Sequence, residues 1–225
     1  MVYFADMAVA AVAAVLALAG PASPPAISFW NGLGQAQVYV MAADGTGVRR
    51  LTNLYSAKRA AWSPDGRRLA FDGRFYTTLF DFDIGIMRAD GSHVRRVTRG
   101  PERDTMAAWS PDGRRLAFSR LRAENAEPDV WLVRPSGRDA HRLVRGSAPT
   151  WSPDGRWIAF DSHGLYTHGP ENAHAVYVMR SDGTAKRRLT RGGDDWATSW
   201  ARSPATGLRT RPRATPACRS DARAG

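Results

Sequence analysis

Trp62-Ser63-Pro64-Asp65-Gly66, Trp109-Ser110-Pro111-Asp112-Gly113 and Trp151-Ser152-Pro153-Asp154-Gly155 are three copies of one five-residue word. Each runs through one or two basic residues into Leu69-Ala70-Phe71, Leu116-Ala117-Phe118 or Ile158-Ala159-Phe160. Pro fixes φ, Asp bonds the backbone locally and Gly accepts positive φ, so the word reads as a tight turn between short apolar strands. A second word lies further along: Ala43-Asp44-Gly45-Thr46, Ala89-Asp90-Gly91-Ser92, Pro135-Ser136-Gly137-Arg138 and Ser181-Asp182-Gly183-Thr184. Its glycines fall 46 residues apart each time, which makes the chain an internal repeat.

Period-two strands precede the second word at Val38–Met41, Ile84–Met87 and Val176–Met179. Asp-Gly then makes a hairpin turn, and Val48–Thr52, Val94–Thr98 and Arg187–Thr190 supply a fourth strand. Four short antiparallel strands at a period in the forties describe a β-propeller blade. No helical periodicity appears between the turns, which excludes a helical solenoid. The expected fold is therefore all-β, a β-propeller of about four four-stranded antiparallel blades.

The pattern W-S-P-D-G-[RK]-x-[IL]-A-F, followed by [IV]-[YW]-x-[MV]-x-x-[DS]-G-[TS], resembles the repeat of the TolB-like, WD-like β-propellers. The resemblance covers about residues 27–200. It implies the blade and leaves the activity open, because similar blades occur in translocation proteins, peptidase propellers and lyases. Members of that family usually have six blades, and this chain departs from them in number. The repeat Ile27–Thr52 lacks its innermost strand, and Ala197-Thr198-Ser199-Trp200 is a lone candidate for one. Paired in one blade, the two pieces would close a four-blade ring and remove its edges; unpaired, they leave an incomplete, open ring. The accessory N-terminal domain typical of the family has no counterpart here, so partnership with a peptidoglycan-associated lipoprotein is not implied.

The flanks divide the chain into three. Ala8–Ala19 is an unbroken apolar run, too short to span a bilayer and suited to a signal-peptide core, with Ala17-Leu18-Ala19 as cleavage pattern. Residues 1–26 are read as a signal peptide and Pro-rich spacer, leaving no membrane span after cleavage. Residues 27–200 form the propeller. Residues 201–225 hold six Arg and one Asp among Pro and Ala, and read as a disordered basic tail, a truncation or frameshift of a longer propeller being one origin. The expected location is secreted, in the periplasm or the extracellular cell envelope. Cys218 is the one cysteine, which excludes an intrachain disulfide and a thiolate metal site.

Strand connectivity sends both repeated turns to one face. The second-to-third strand loops and the blade-to-blade connections go to the other, at residues 53–59, 73–83, 99–105, 120–129, 145–149, 161–174 and 191–196. These variable segments hold nine Lys or Arg against eleven Asp or Glu, in a chain of net charge +11. Arg49, Arg50, Arg67, Arg68, Arg95, Arg96, Arg114, Arg115, Arg187 and Arg188 are assigned to the turn half. As a basic surface they would suit an acidic envelope polymer; as a solvated rim they need no ligand. Nucleic acid is disfavoured by export and by the lack of a stacking groove.

One loop carries candidate chemistry. His163, His168 and His174 lie within twelve residues, beside Asp161 and Glu171, and imidazole with carboxylate suits a divalent metal such as Zn or Mn. The same loop reads equally as a polar surface segment. Asp65, Asp112 and Asp154 are explained by turn chemistry, and Trp62, Trp109 and Trp151 by packing between blades near the axis. No nucleophile elbow, phosphate loop or catalytic cysteine is present, so no catalytic residue is named. The leading expectation is a non-enzymatic scaffold that binds a protein through the variable-loop face. The rivals are a metal-dependent, lyase-like propeller using the His-rich loop, and the propeller of a serine peptidase without its hydrolase domain.

Overall fold

A computed structural model describes residues 26–32, 35–76, 81–123, 126–162, 175–190, 195 and 199–200. The candidate signal, the loop 163–174 with all three histidines, and the tail 201–225 lie outside them.

The described residues form fifteen strands in four antiparallel sheets. Sheet one holds β1 (Ala26–Asn31), β2 (Gln37–Ala42) and β3 (Arg49–Arg50). Sheet two holds β4 (Ser56–Trp62), β5 (Arg68–Arg74), β6 (Asp83–Arg88) and β7 (Arg95–Arg96). Sheet three holds β8 (Arg103–Trp109), β9 (Leu116–Leu121), β10 (Asp129–Val133) and β11 (His141–Arg145). Sheet four holds β12 (Ser147–Trp151), β13 (Trp157–Asp161), β14 (Val176–Arg180) and β15 (Arg187–Arg188). Each full sheet is a meander in chain order, as a propeller blade requires. Register aligns the blades: Ile27, Leu69, Leu116 and Ile158 face Met41, Met87, Val133 and Met179. Among the described residues, blade 1 thus begins at its second strand, as the sequence predicts.

Side-chain alternation places the core between blades. Leu69, Phe71 and Met87 pack with Val38, Val40 and Leu51 of blade 1. Their neighbours Ala70, Ile84 and Ile86 turn to blade 3 and meet Trp109, Leu116 and Phe118. Ala117, Val130 and Leu132 repeat this against Trp151, Ile158, Phe160 and Met179 of blade 4. Successive residues of a strand point to opposite faces, so one blade serves two cores.

Polar bonds tie the blades at matching points. Trp109 Nε1 donates to Ala61 O at 3.1 Å, Trp151 Nε1 to Ala108 O at 3.2 Å and Trp200 Nε1 to Thr150 O at 3.1 Å. In each case the acceptor precedes the tryptophan of the previous blade. The inner strands are longer than the sequence suggests, and each carries a bulge three residues before its tryptophan. There Arg59, Met106 and Ala148 take φ of 52°, 60° and 49°, and the register shifts. The N–H that the bulge frees is accepted by the preceding blade: Met106 N donates to Asp72 Oδ1 and Ala148 N to Ser119 Oγ, both at 2.9 Å. Trp62, Trp109 and Trp151 are packing residues, as expected. Strand packing runs β1 to β4, β4 to β8 and β8 to β12, an arc of four blades.

Candidate functional site

On the turn face, the repeated word folds as its chemistry requires. Ser63, Ser110 and Ser152 are buried; their hydroxyls donate to Asp65, Asp112 and Asp154 at 2.5, 2.6 and 2.6 Å. Each also accepts the amide of Arg68, Arg115 or Trp157 at 2.9 Å. The serine hydroxyl holds each aspartate below its ordinary carboxylate value. These three aspartates are turn residues.

The arginine set divides in two. Arg49 donates to Asp90 O at 2.6 Å and Arg95 to Pro135 O at 2.5 Å, so each clasps the hairpin of the next blade. Arg68 lies over the Trp109 ring at 4.7 Å. Arg50, Arg96 and Arg188 belong elsewhere than the sequence reading put them. Their Nε atoms donate to Thr52, Thr98 and Thr190 carbonyls, past the ends of the fourth strands and toward the loop face. A groove of about 900 Å³ does open on the turn face, between the Ser110–Arg115 and Trp151–Gly155 turns, with Arg134 and Pro135 at its side. Arg134 pairs with Asp139 at 2.5 Å.

The loop face carries a denser electrostatic array. Asp104 and Arg120 form a two-point ion pair, Nε–Oδ1 and Nη2–Oδ2 each 2.7 Å. Arg96 reaches Asp83 at 2.6 Å, Arg59 reaches Asp72 at 3.2 Å and Arg142 reaches Asp129 at 2.8 Å. Burial outweighs these cations at Asp72 and Asp83 and pushes each carboxyl up to about 6; burial also raises Asp104. Lys58 is pushed down by burial and then by Arg59 and Arg103.

Aromatic rings interleave with these cations. The Phe82 ring has Lys58 Nζ at 4.6 Å and the Arg103 guanidinium at 5.2 Å. Arg74 stacks on Tyr55 at 4.4 Å, Arg96 on Tyr76 at 5.1 Å and Arg120 on Trp131 at 4.6 Å. Tyr55 and Tyr76 remain 38% and 58% exposed, so the array ends in two rings open to solvent. Sequence reasoning missed this group. Its signal was available: aromatics in segments 53–59 and 73–83, where the repeat gives no reason for them.

His163, His168 and His174 lie outside the described residues. Of their neighbours, Asp161 ends β13 and is fully buried. Among the described residues, no group of three His, Cys, Asp or Glu is placed to hold a metal, and no helix is long and apolar enough to cross a membrane.

Repeated four-strand blades packed face to face and tied by indole and carboxylate bonds, with variable loops collected on one face, define a β-propeller scaffold. The chain belongs to the TolB beta propeller domain family, whose sequence model matches residues 59–202. Among solved structures it is similar to a protein described as a TolB from Agrobacterium tumefaciens, with 26% identity and a TM-score of 0.64 over 78% of this chain and 65% of that one. TolB from Acinetobacter baumannii is 19% identical at TM-score 0.59, over 75% of this chain and 41% of that one. An oligogalacturonate lyase in complex with manganese is 17% identical at TM-score 0.53, over 69% and 42%. The chain thus spans less than two thirds of each of these proteins. No curated protein matches it significantly.

Proposed function

We propose that this chain is a non-enzymatic scaffold of the cell envelope, which binds a protein partner through the loop face of its blades. The carrying observation is the array Tyr55, Arg74, Tyr76 and Arg96 on that face, with both tyrosine rings exposed over guanidinium groups. Tyr and Arg are the side chains that concentrate binding energy at protein interfaces. The turn face offers less to a partner, because Arg49, Arg68 and Arg95 serve blade-to-blade contacts. The apolar run Ala8–Ala19 and the TolB family together support an envelope location.

Crosslinking in intact envelopes tests this with two variants of the whole chain. Tyr55→Ala/Tyr76→Ala is expected to lose a defined protein adduct by tenfold or more, while Arg67→Ala/Arg114→Ala on the turn face retains it. Equal loss in both, or none in either, contradicts the reading. Metal analysis separates the lyase-like rival. Stoichiometric divalent metal in the purified protein, absent from the His163→Ala/His168→Ala/His174→Ala variant, would overturn the scaffold in favour of that enzyme.

A further inference from the structure

We propose that the groove between blades 3 and 4 on the turn face binds an acidic polysaccharide, with uronate carboxylates on Arg115 and Arg134 and sugar hydroxyls on Asp112 and Asp154. The groove lies where the repeat departs from itself. Two arginine contacts close the seams between the earlier blades. Arg49 of blade 1 reaches Asp90 O of blade 2, and Arg95 of blade 2 reaches Pro135 O of blade 3. Between blades 2 and 3, Arg68 also lies over the Trp109 ring at 4.7 Å.

The seam between blades 3 and 4 has neither contact. Four positions past the hairpin glycine stand Arg49, Arg95 and Arg187 in blades 1, 2 and 4, and His141 in blade 3. His141 Nδ1 donates to Asp139 O of its own hairpin at 2.9 Å. Arg115 holds the place of Arg68. Where Arg68 is half-buried Arg115 is exposed, and among the described residues it stacks on no ring. Arg115 and Trp151 instead line the groove of about 900 Å³, the volume of a small-ligand cleft.

The charges in the wall select the ligand. Arg114, Arg115 and Arg134 stand there with Asp112 and Asp154. Arg134 gives Nε to Asp139, which leaves its other guanidinium nitrogens as donors. Both aspartates take their turn bonds on Oδ1: Asp112 from Ser110 and the Arg114 amide, Asp154 from Ser152 and the Arg156 amide. Each Oδ2 is left as an acceptor, and the same bonds keep both carboxyls ionised. A polyphosphate or an acidic peptide would set dense negative charge beside these carboxylates with few hydroxyls to offer them. A uronate chain brings a carboxylate for a guanidinium fork and, on the same sugar, hydroxyls that donate to a carboxylate.

Calorimetric titration of the full chain with a mannuronate hexamer at physiological salt tests this. The hexamer should bind at least tenfold tighter than a neutral mannose hexamer, and Arg115→Ala/Arg134→Ala should lose tenfold or more of that affinity, the worth of charged hydrogen bonds. Arg67→Ala/Arg88→Ala removes the same charge at the closed seam between blades 2 and 3 and should stay within about twofold of wild type. All four side chains are exposed, so both variants should keep the wild-type melting temperature. Absence of hexamer binding, equal binding of the neutral hexamer, or equal loss in the two variants would each overturn the proposal. Tighter binding of tripolyphosphate than of the hexamer would also overturn it, since charge alone would then be what the groove reads. The hexamer titration and the loop-face crosslink report on different residues, so either can fail without the other.

Discussion

Ser63, Ser110 and Ser152 each serve two polar groups with one hydroxyl, donating to the turn aspartate and accepting the amide that closes the turn, and their burial makes those bonds consequential. Ser110→Ala removes the acceptor for the Arg115 amide and the donor to Asp112. Unfolding by urea should show a loss of about 1–3 kcal/mol, the cost of stranding a buried polar group. An exposed control, Arg114→Ala, should change stability by less than about 0.5 kcal/mol. The aspartates at the other face act on stability with the opposite sign. Asp72 and Asp83 stand at about 6 in the folded chain against an ordinary 3.8. Their contribution is complete below about 3.8 and is lost as pH rises through about 6. The urea midpoint should therefore rise as pH falls from 7.5 to 5, and Asp72→Asn/Asp83→Asn should flatten that slope. Asp65, Asp112 and Asp154, held low, lose their contribution only below 3.8 and do not mask it. The turn residues were legible in sequence because their bonds reach two to five positions along the chain. Asp72 was not, because its partners Arg59 and Met106 lie 13 and 34 positions away.

Among the elements, strand identity was legible wherever alternation and turn words coincide, and illegible at the bulges. Arg59, Met106 and Ala148 share no side-chain property; what they share is a left-handed backbone, and Met106 and Ala148 direct their N–H across the blade seam. The bulge lengthens the inner strands to Ser56, Arg103 and Ser147, so the segments expected as loops at 53–59, 99–105 and 145–149 are partly strand. One strand position is legible only through its partner. Where Phe29, Phe118 and Phe160 face Tyr39, Trp131 and Tyr177, Phe71 faces Gly85. The Phe71 ring fills the vacant place, and a Cβ on Gly85 would come within 2.5 Å of it. Gly85→Ala should lower stability by about 1–3 kcal/mol through overpacking, measured by thermal unfolding. Phe71→Leu/Gly85→Ala should recover part of that loss if the clash is its cause.

The whole molecule is a scaffold whose regular half stabilises and whose irregular half presents side chains. The charge asymmetry was visible in sequence, but its meaning was not. Three of the ten arginines of the supposed anion surface, Arg49, Arg68 and Arg95, turn out to join blades, while Arg50, Arg96 and Arg188 reach toward the loop face, Arg96 to pair with Asp83. The histidine loop lies outside the described residues, and its part in function rests on the metal analysis above. Blade count was legible because each blade repeats its words in order. The described arc ends at β1: among the described residues no strand pairs with its side away from β2, where Ser28 and Trp30 stand as Ala70 and Asp72 stand against β4. Native-state hydrogen exchange in dilute, monomeric protein tests it residue by residue. The Ser28 and Trp30 amides should exchange at least a hundredfold faster than those of Ala70, Ala117 and Ala159. Protection of Ser28 and Trp30 equal to that of Ala70 would mean that an inner strand already occupies blade 1, and would contradict an arc that ends at β1.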